Sequence, residues 1–347
     1  MNLPAATQRV DAEEHDPFAG GEIARVVPTT EPQREVWLAD RLGPDASLAF
    51  NESVSLRLRG RLNQSALASA LQALLSRHDV LRSNFGPDGE TLCIRMESEL
   101  TLECADLSGL PASAREAAVA SRQHQAVETP FDLVREPLFR AELLTLSTEE
   151  HLLLLTAHHI VCDGWSWWVI VRELGQLYAD AQAIESTLPP VQSFADYALA
   201  EAMRATDSTA MADGHYWLQK FVGDVPVLDL PTDRPRAARR TFASAREDHV
   251  FEPALVNAIR ALGGRRGASL FATLLAGFGG LLSRIAGQSE VVVGIPAAGQ
   301  AIDDHDRLVG HCVNLLPLRL EADPGQGFSR AVDDAQTTLL DAIEHQR

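Results

Sequence analysis

Hydrophobic residues recur along this chain with two different periods, which predict both strands and helices. Over residues 52–59 they alternate with polar residues, which predicts a half-buried strand. Over residues 62–77 leucines repeat at helical spacing, which predicts an amphipathic helix. Upstream of both, Thr30 has the character of an N-cap and predicts the start of a short helix that carries Gln33.

The same two periods predict the other elements of the first half of the chain. Strands are predicted over residues 80–85, 91–96, 100–105, 138–146 and 151–157, and helices over 112–127 and 165–183. The strand over 151–157 is strongly apolar, so we expect it at the centre of a sheet. It leads directly into a tight turn and then into a helix.

The second half has a similar pattern after the linker-like Leu188-Pro189-Pro190. Helices are predicted over residues 194–204, 215–221, 253–262, 269–285 and 328–347, and strands over 245–251, 290–294 and 312–320. The helix over 269–285 is apolar nearly all round, so we expect it to be buried. The pattern therefore predicts a mixed fold of the α/β (α+β) class, with two similar lobes and a cleft between them.

Composition narrows the class of protein further. A net charge of −18 over 347 residues argues against a nucleic-acid binder, which needs basic surface to neutralise phosphates. Residues 1–27 are polar and acidic, so they predict a flexible lead-in and not a secretory signal. The four cysteines form no C-x-x-C pair, which predicts reduced thiols and a cytoplasmic protein. No apolar run approaches the ~20 residues that a membrane span needs.

The turn after the central strand carries the candidate chemistry. It contains His158 and His159, followed by Asp163 and Gly164. A histidine at a strand end can offer one ring nitrogen as a base while the backbone holds the other. Adjacent strand residues point to opposite faces, so only one histidine is expected to face a cavity, and we favour His159. The alternative is a histidine with a purely structural role in the core or the turn.

Asp163 and Gly164 each have two alternative roles in this turn. Asp163 could orient a histidine as in a catalytic triad, or it could close the turn by pairing with Arg77 or Arg82, and we favour the second role. Gly164 is expected to allow a backbone conformation or a close substrate approach that a Cβ atom would block.

The sequence around the turn offers neither a covalent nucleophile nor a metal site. Ser166 has no G-x-S-x-G surroundings, and Cys162 has no neighbouring cation in the sequence to lower its pKa. The H-E-x-x-H pattern of zinc enzymes is absent. A base without nucleophile or metal suits direct transfer between two bound substrates.

The H-H-x-x-x-D-G pattern at residues 158–164 resembles the signature of acyltransferases related to chloramphenicol acetyltransferase. Within them, the chain resembles the condensation domains of nonribosomal peptide synthetases. Further segments resemble that family's motifs in the family's order: residues 30–38, 77–85, 130–133, 137–140, 194–198, 294–296 and 313–319. The ordered set is far more specific than any one motif.

This resemblance implies two chloramphenicol acetyltransferase-like lobes that form a V-shaped pseudo-dimer, with His159 in a tunnel between them. Donor and acceptor would arrive as thioesters on the phosphopantetheine arms of an upstream and a downstream carrier protein. The product would be an amide, and an adenylation domain is a further expected partner. The domain itself would bind no cofactor, no metal, no nucleic acid and no membrane.

The resemblance also implies a domain layout and a subtype. We expect a lead-in at residues 1–27, a first lobe at 28–187 and a second lobe at 188–347 that is truncated relative to the family. Gly164 favours condensation over epimerization, and residues 31–33 and 310–314 resemble a variant that follows a polyketide module or a loading unit. The alternatives are a stand-alone acyltransferase that acts on a free alcohol or amine, and a non-catalytic docking module.

Overall fold

A computed structural model describes residues 22–180, 188–236, 238, 241–301, 305–321, 325 and 327–346. These residues form two compact units. The first lies within Met1–Leu199 and also includes Arg307–His311, and the second lies within Ala200–Asp306 and Cys312–Arg347. Each unit combines helices with a β-sheet. In the described part of the chain, no helix has both the length and the apolar character that a membrane crossing requires.

The first unit contains two sheets and most of the helices. Its strands are β1 (Ile23–Pro28), β2 (Asn51–Arg59), β3 (Ser83–Phe85), β4 (Thr91–Arg95), β5 (Leu102–Asp106), β6 (Phe139–Ser147) and β7 (Glu150–His158). Its helices are α1 (Glu31–Asp40), α2 (Pro44–Leu48), α3 (Gln64–Arg77), α4 (Ala112–Glu128), α5 (Gly164–Asp180) and the first half of α6 (Phe194–Arg204). The predicted N-cap of α1 at Thr30 is present, and Gln33 completes a capping box with it, since Thr30 and Gln33 each accept a backbone hydrogen bond.

The larger sheet carries the strand that leads into the His158–Gly164 turn. Its order is β2-β7-β6-β5, so β7 is an internal strand, as its apolar sequence predicted. Strand β7 pairs antiparallel with both neighbours, while β5 and β6 are parallel. All residues of β7 after Glu150 are buried, so the end of this strand is a rigid platform for the residues that follow it.

The smaller sheet, in the order β1-β4-β3, corrects two predictions. Ile23–Pro28 forms β1 and pairs with β4, so the predicted lead-in at residues 1–27 is wrong for its last five residues; residues 1–21 lie outside the described residues. The partner of β1 lies about 65 residues away, which local sequence does not reveal. Residues 80–85 were predicted as a strand, but they open with a 3₁₀ turn at Asp79–Arg82 and only β3 is extended.

The boundary between the units also differs from the predicted one after residue 187. The first unit continues through Leu199, because the start of α6 is held by a side chain near the end of α3. The carboxylate of Asp79 accepts hydrogen bonds from the Ser193 hydroxyl (2.5 Å), the Phe194 N–H (2.9 Å) and the Ala195 N–H (3.3 Å). The Phe194 ring is fully buried. The proline-rich stretch before α6 is therefore not where the first unit ends.

The second unit is built on the hairpin of β8 (Glu290–Ala298) and β9 (Val313–Glu321). Helices α9 (Leu270–Ala286) and α10 (Phe328–Glu344) pack on this hairpin, and α7 (Ser208–Lys220) and α8 (Pro253–Gly264) complete the unit. The strand predicted over 245–251 is absent, and that exposed stretch has no regular structure. Helix α9 is buried on one face only. Its other face exposes about half of each of five large apolar side chains: Phe271, Leu274, Phe278, Leu281 and Ile285.

The capping of α6 by Asp79 gives a first prediction. Replacing Asp79 with Ala removes the charged acceptor of three hydrogen bonds from the start of α6 and of one from the Val80 N–H, so we expect the first unit to lose about 2 kcal/mol of unfolding free energy. Urea denaturation measures this loss, and amide hydrogen exchange should speed up at Phe194 and Ala195. Asp45→Ala, at an exposed position with no comparable contacts, is the matched control. Equal stability of the two variants would contradict the capping role.

Candidate active site

The turn after β7 is organised by the carboxylate of Asp163. Strand β7 ends at His158, residues His159–Val161 form one 3₁₀ turn, and α5 begins at Gly164. Asp163 is fully buried, and its Oδ1 accepts hydrogen bonds from the Ser166 N–H (2.8 Å) and the Ser166 hydroxyl (2.7 Å). It therefore satisfies donors of the first turn of α5 and fixes the angle at which the helix leaves the strand.

The predicted pairing of Asp163 with Arg77 or Arg82 is wrong. The guanidinium of Arg77 binds Glu173 on α5, with Nε 2.7 Å from Oε2, and also donates to the Pro189 carbonyl. Arg82 donates to the backbone carbonyls of Arg95 (2.9 Å) and Ser76 (2.8 Å). Arg77 thus supports the site through α5, and Arg82 joins the end of α3 to β4.

Glu173 is the centre of a buried ionic cluster beneath the site. Besides Arg77, it is contacted by His78 (Nε2 to Oε2, 2.9 Å) and by Arg307 (Nη1 to Oε1, 3.8 Å). Burial alone would raise the pKa of the Glu173 carboxyl, but the hydrogen bonds and charges of His78 and Arg77 outweigh it and lower this pKa to about 2. The charged Glu173 therefore ties α5 to α3 and to the segment Arg307–His311.

His159 is held in a defined orientation with one ring nitrogen left available. Its Nδ1 lies 2.7 Å from the carbonyl oxygen of Cys162 and 3.2 Å from Oε1 of Glu52. Both neighbours are acceptors, so Nδ1 carries the proton and Nε2 keeps its lone pair. The side chain is 26% exposed, so a bound substrate can reach it. This is the geometry that a general base requires.

Glu52 is a carboxylate partner of His159 that the sequence analysis did not predict. Its Oε2 accepts a hydrogen bond from the Trp167 indole N–H (2.8 Å), which leaves Oε1 facing His159. Burial by itself lowers the pKa of His159, but the hydrogen bond and negative charge of Glu52 outweigh it and raise this pKa above its usual range. The sequence did carry a hint of this role: Glu52 lies on the same face of β2 as the inward-facing Val54 and Leu56, because alternate strand residues share a face.

His158 points into the interior and not toward the reaction space. Its Nδ1 accepts a hydrogen bond from the Ile160 N–H (3.3 Å), and its ring lies about 6 Å from those of Phe50 and Phe131. Nε2 lies 3.6 Å from Oδ1 of Asp40. Burial lowers the pKa of His158 despite this carboxylate, so the ring is neutral. The two histidines therefore face opposite ways, as strand geometry predicts.

Gly164 does not need the conformational freedom of glycine. It lies at the start of α5 without a positive φ, and a Cβ atom built on it would meet nothing within 4 Å. The expectation that this glycine allows a special backbone conformation is therefore wrong. The other expectation, that it leaves room for a substrate, stays a prediction.

His311 lies against His159, and sequence reasoning had noted it only as part of a variant motif. The two rings meet edge to face with centroids 4.6 Å apart. Burial, with a contribution from the charges of His159 and His158, lowers the pKa of His311 to about 3. Its Nδ1 is buried without a hydrogen-bond partner. No pattern near residue 311 reveals this contact, because the two histidines are 152 positions apart in the chain.

A tight backbone contact brings His311 to this position. The Ser166 hydroxyl, which donates to Asp163, accepts a hydrogen bond from the Gly310 N–H at 3.0 Å. Gly310 has φ of +154°, and a Cβ atom on it would lie 2.1 Å from Cδ2 of Phe194. Only glycine fits here, so the residue after it is presented to His159.

Other reactive groups near the turn do not extend this chemistry. Burial raises the pKa of the Cys162 thiol well above its usual value, so the thiol stays protonated. Among the described residues, His, Cys, Asp and Glu side chains form no group that could hold a metal ion. The centre of the site is therefore the set Glu52, His159 and His311, supported by Asp163.

Comparison with known proteins places this fold and site in a family. The condensation domain family matches residues 23–347. One of the linear gramicidin synthase chains of Brevibacillus parabrevis is 34% identical over 354 residues, which cover 99% of this chain and 7% of that protein. Phosphinothricin tripeptide synthetase PhsC of Streptomyces viridochromogenes is 36% identical over 324 residues, which cover 92% of this chain and 30% of that protein. The chain thus spans less than a third of the length of these relatives.

The first condensation domain of the calcium-dependent antibiotic synthetase, solved with a substrate analogue, has the same fold. Its TM-score is 0.78 at 23% identity, and the match covers 94% of this chain and 76% of that one. The chain belongs to the condensation domain family, which is a class of acyltransferases. The predicted family, mixed α/β fold class and enzyme class are confirmed, whereas the V-shaped arrangement of two lobes stays a prediction.

The contact between Glu52 and His159 gives a second prediction. Replacing Glu52 with Gln removes the negative charge that stabilises the protonated ring, so we expect the pKa of His159 to fall and the ring to lose its proton at lower pH. NMR titration of the imidazole signals measures the change. Glu97→Gln, at an exposed position, should leave the titration as in the wild type. An unchanged or higher His159 pKa in the Glu52 variant would contradict the claim that Glu52 raises this pKa.

The packing of Gly310 against Phe194 gives a third prediction. Ala at position 310 forces a steric overlap with a buried ring, so we expect a loss of about 2 kcal/mol or more of unfolding free energy and displacement of His311 from His159. Denaturation measures the first effect and the imidazole NMR signals the second. Gly109→Ala, where a Cβ atom meets open space, is the control. A Gly310 variant as stable as this control would show that the loop adapts.

Proposed function

We propose that this chain forms an amide bond between an acyl or peptidyl thioester and the amine of an aminoacyl thioester. One observation carries the proposal: His159 presents an available Nε2 while Cys162 and Glu52 hold its Nδ1–H. That arrangement suits removal of a proton from an amine as the amine attacks a carbonyl carbon.

Family membership supports this proposal over other uses of a histidine base. The two relatives are named as synthases of linear gramicidin and of a phosphinothricin tripeptide, and this chain matches the condensation domain family over residues 23–347. The raised pKa of His159 adds to this support, because a stronger base accepts a proton from an attacking amine more readily.

The proposed reaction has two steps. In the first, the neutral acceptor amine attacks the thioester carbonyl carbon, the C–N bond forms and the carbonyl electron pair moves to oxygen. Nε2 of His159 takes one amine proton, and Glu52 stabilises the resulting imidazolium. In the second, the oxyanion collapses, the C–S bond breaks and the leaving thiolate takes that proton from His159. Holding both reactants in place contributes to the rate along with proton transfer.

We propose that the donor and acceptor arrive on phosphopantetheine arms of carrier proteins, the donor from upstream and the acceptor from downstream. An adenylation domain that loads the acceptor carrier fits the same pathway. A cytoplasmic location is part of the proposal and is supported by the four cysteines, which are all free thiols. Asp163 and Gly164 act in this scheme by shaping the turn, and His158 by packing beneath it.

Replacement of His159 tests the function. With pantetheine thioesters of octanoate and a panel of amino acids as substrates, we expect His159→Ala to lower the rate of amide formation by about 10²- to 10⁴-fold. Mass spectrometry of the products measures the rate. His124→Ala, at an exposed position on α4, should behave as the wild type. Full activity of the His159 variant would rule out the base role, and product formation from free amines alone would favour the stand-alone acyltransferase.

A further inference from the structure

His311 is buried at a functional site without a hydrogen-bond partner for its enclosed ring nitrogen. Its residue surface is 5% exposed, and none of the hydrogen bonds among the described residues involves a ring nitrogen of His311. Leaving a buried polar group unpaired costs roughly 1–3 kcal/mol. The enclosed, unpaired ring atom is Nδ1. The other ring nitrogen, Nε2, is not among the enclosed unpaired atoms, so it is the atom of this ring that a ligand can reach.

The protein holds this ring in place by several contacts, so its position is not incidental. The Ser166 hydroxyl binds the N–H of Gly310, the preceding residue. Gly310 itself packs on the buried Phe194 ring, which excludes any side chain at that position. At the other end of the segment, Arg307 lies 3.8 Å from the buried Glu173 carboxylate. Residues on α5 and α6 thus fix both ends of the Arg307–His311 segment.

The charge states of the two neighbouring histidines are driven apart. His311 is neutral throughout the physiological range, since its pKa is about 3. His159, which faces Glu52, is the ring that accepts protons. Environments that separate the pKa values of two adjacent groups assign them different roles. A neutral imidazole cannot give up a proton readily, but it donates a hydrogen bond through the nitrogen that carries its hydrogen.

We propose that His311 is a substrate-binding residue, whose neutral imidazole donates a hydrogen bond to the thioester carbonyl oxygen and stabilises the oxyanion that forms there. The unpaired Nδ1 is fully enclosed, and orphaned N–H groups are rarer in protein interiors than under-satisfied acceptors, so we place the hydrogen on Nε2. Nε2–H is therefore the donor. This inference rests on the proposed amide formation, for which it supplies the electrostatic part.

In each step His311 stabilises charge on the carbonyl oxygen while His159 carries the proton. As the C–N bond forms and negative charge develops on oxygen, the hydrogen bond from His311 becomes charge-assisted and strengthens. When the C–S bond breaks, the charge leaves that oxygen and the bond weakens again. No proton leaves His311 at any stage, so the only proton in transit is the one that His159 carries from the amine to the thiolate.

Two substitutions separate hydrogen bonding from packing at this position. His311→Phe keeps a ring against His159 but removes the donor, and His311→Gln places an amide N–H near the position of Nε2. We expect the Phe variant to lose about 10²- to 10³-fold in kcat with little change in KM. The Gln variant should recover at least tenfold of that loss. Since His311 is neutral, the acidic limb of the pH–rate profile, set by His159, should stay in place. His124→Phe is the control for the substitution itself.

Other outcomes of the kinetic experiment would overturn the inference. Full kcat in the Phe variant would show that the ring acts by packing alone. Equal losses in the Phe and Gln variants would show that the donor is not what matters. A large shift of the acidic limb in both would mean that His311 acts on His159 and not on the substrate.

A binding experiment keeps this inference separate from the proposed function. The probe is an unreactive octanoyl pantetheine analogue in which NH replaces the thioester sulfur, so the carbonyl oxygen is retained. We expect it to shift the imidazole ¹⁵N signals of His311 in the wild type and in His159→Ala. If the wild type forms no amide from any substrate pair, the proposed function fails, yet this shift still supports carbonyl binding by His311. Absence of binding or of the shift overturns the inference even if amide formation is observed.

Discussion

The site depends on the capping of α5 by the buried carboxylate of Asp163. This one group binds the Ser166 N–H and hydroxyl, and so fixes the turn through which β7 passes into α5. The same hydroxyl then accepts the N–H of Gly310, which sets the position of His311. The turn also directs the Cys162 carbonyl at Nδ1 of His159. Asp163 is therefore a positioning residue: through the turn and through Ser166 it sets the positions of His159 and His311.

Electrostatics then give the two neighbouring imidazoles different properties. Glu52, held by the Trp167 indole, raises the pKa of His159, while burial without a carboxylate keeps His311 neutral. His158 is neutral as well, enclosed by aromatic rings on the other side of the strand end. Of these three histidines, His159 is the one whose pKa is raised by its surroundings, while burial lowers the pKa of the other two. This division is what proton transfer next to a developing oxyanion requires, because two charged rings in contact would repel each other.

The local pattern of apolar and polar residues predicted much of the secondary structure of the first unit. The apolar run of β7, the helix N-cap at Thr30 and the leucine stripe of α3 each lie within about 15 consecutive residues, and each formed as expected. Predictions that depend on distant partners fared worse. The fold contradicts the predicted pairing of Asp163 with Arg77 or Arg82, because Asp163 binds Ser166. It also contradicts a flexible lead-in up to residue 27, because β1 pairs with β4, and the burial of α9, because one apolar face is exposed. Hydrophobicity along a helix reports what could be buried, not how many neighbours the fold supplies.

The order of residues along the chain was enough to identify the family, the mixed fold class and His159 as the candidate base, because these follow from a contiguous motif and from periodicity within single elements. The groups that surround this base became known only from the packing of the folded chain. Glu52 reaches His159 across the pairing of β2 with β7, and His311 reaches it on a segment that joins the first unit from 152 positions away. Contacts of this kind depend on how separate elements pack, and no local pattern records them.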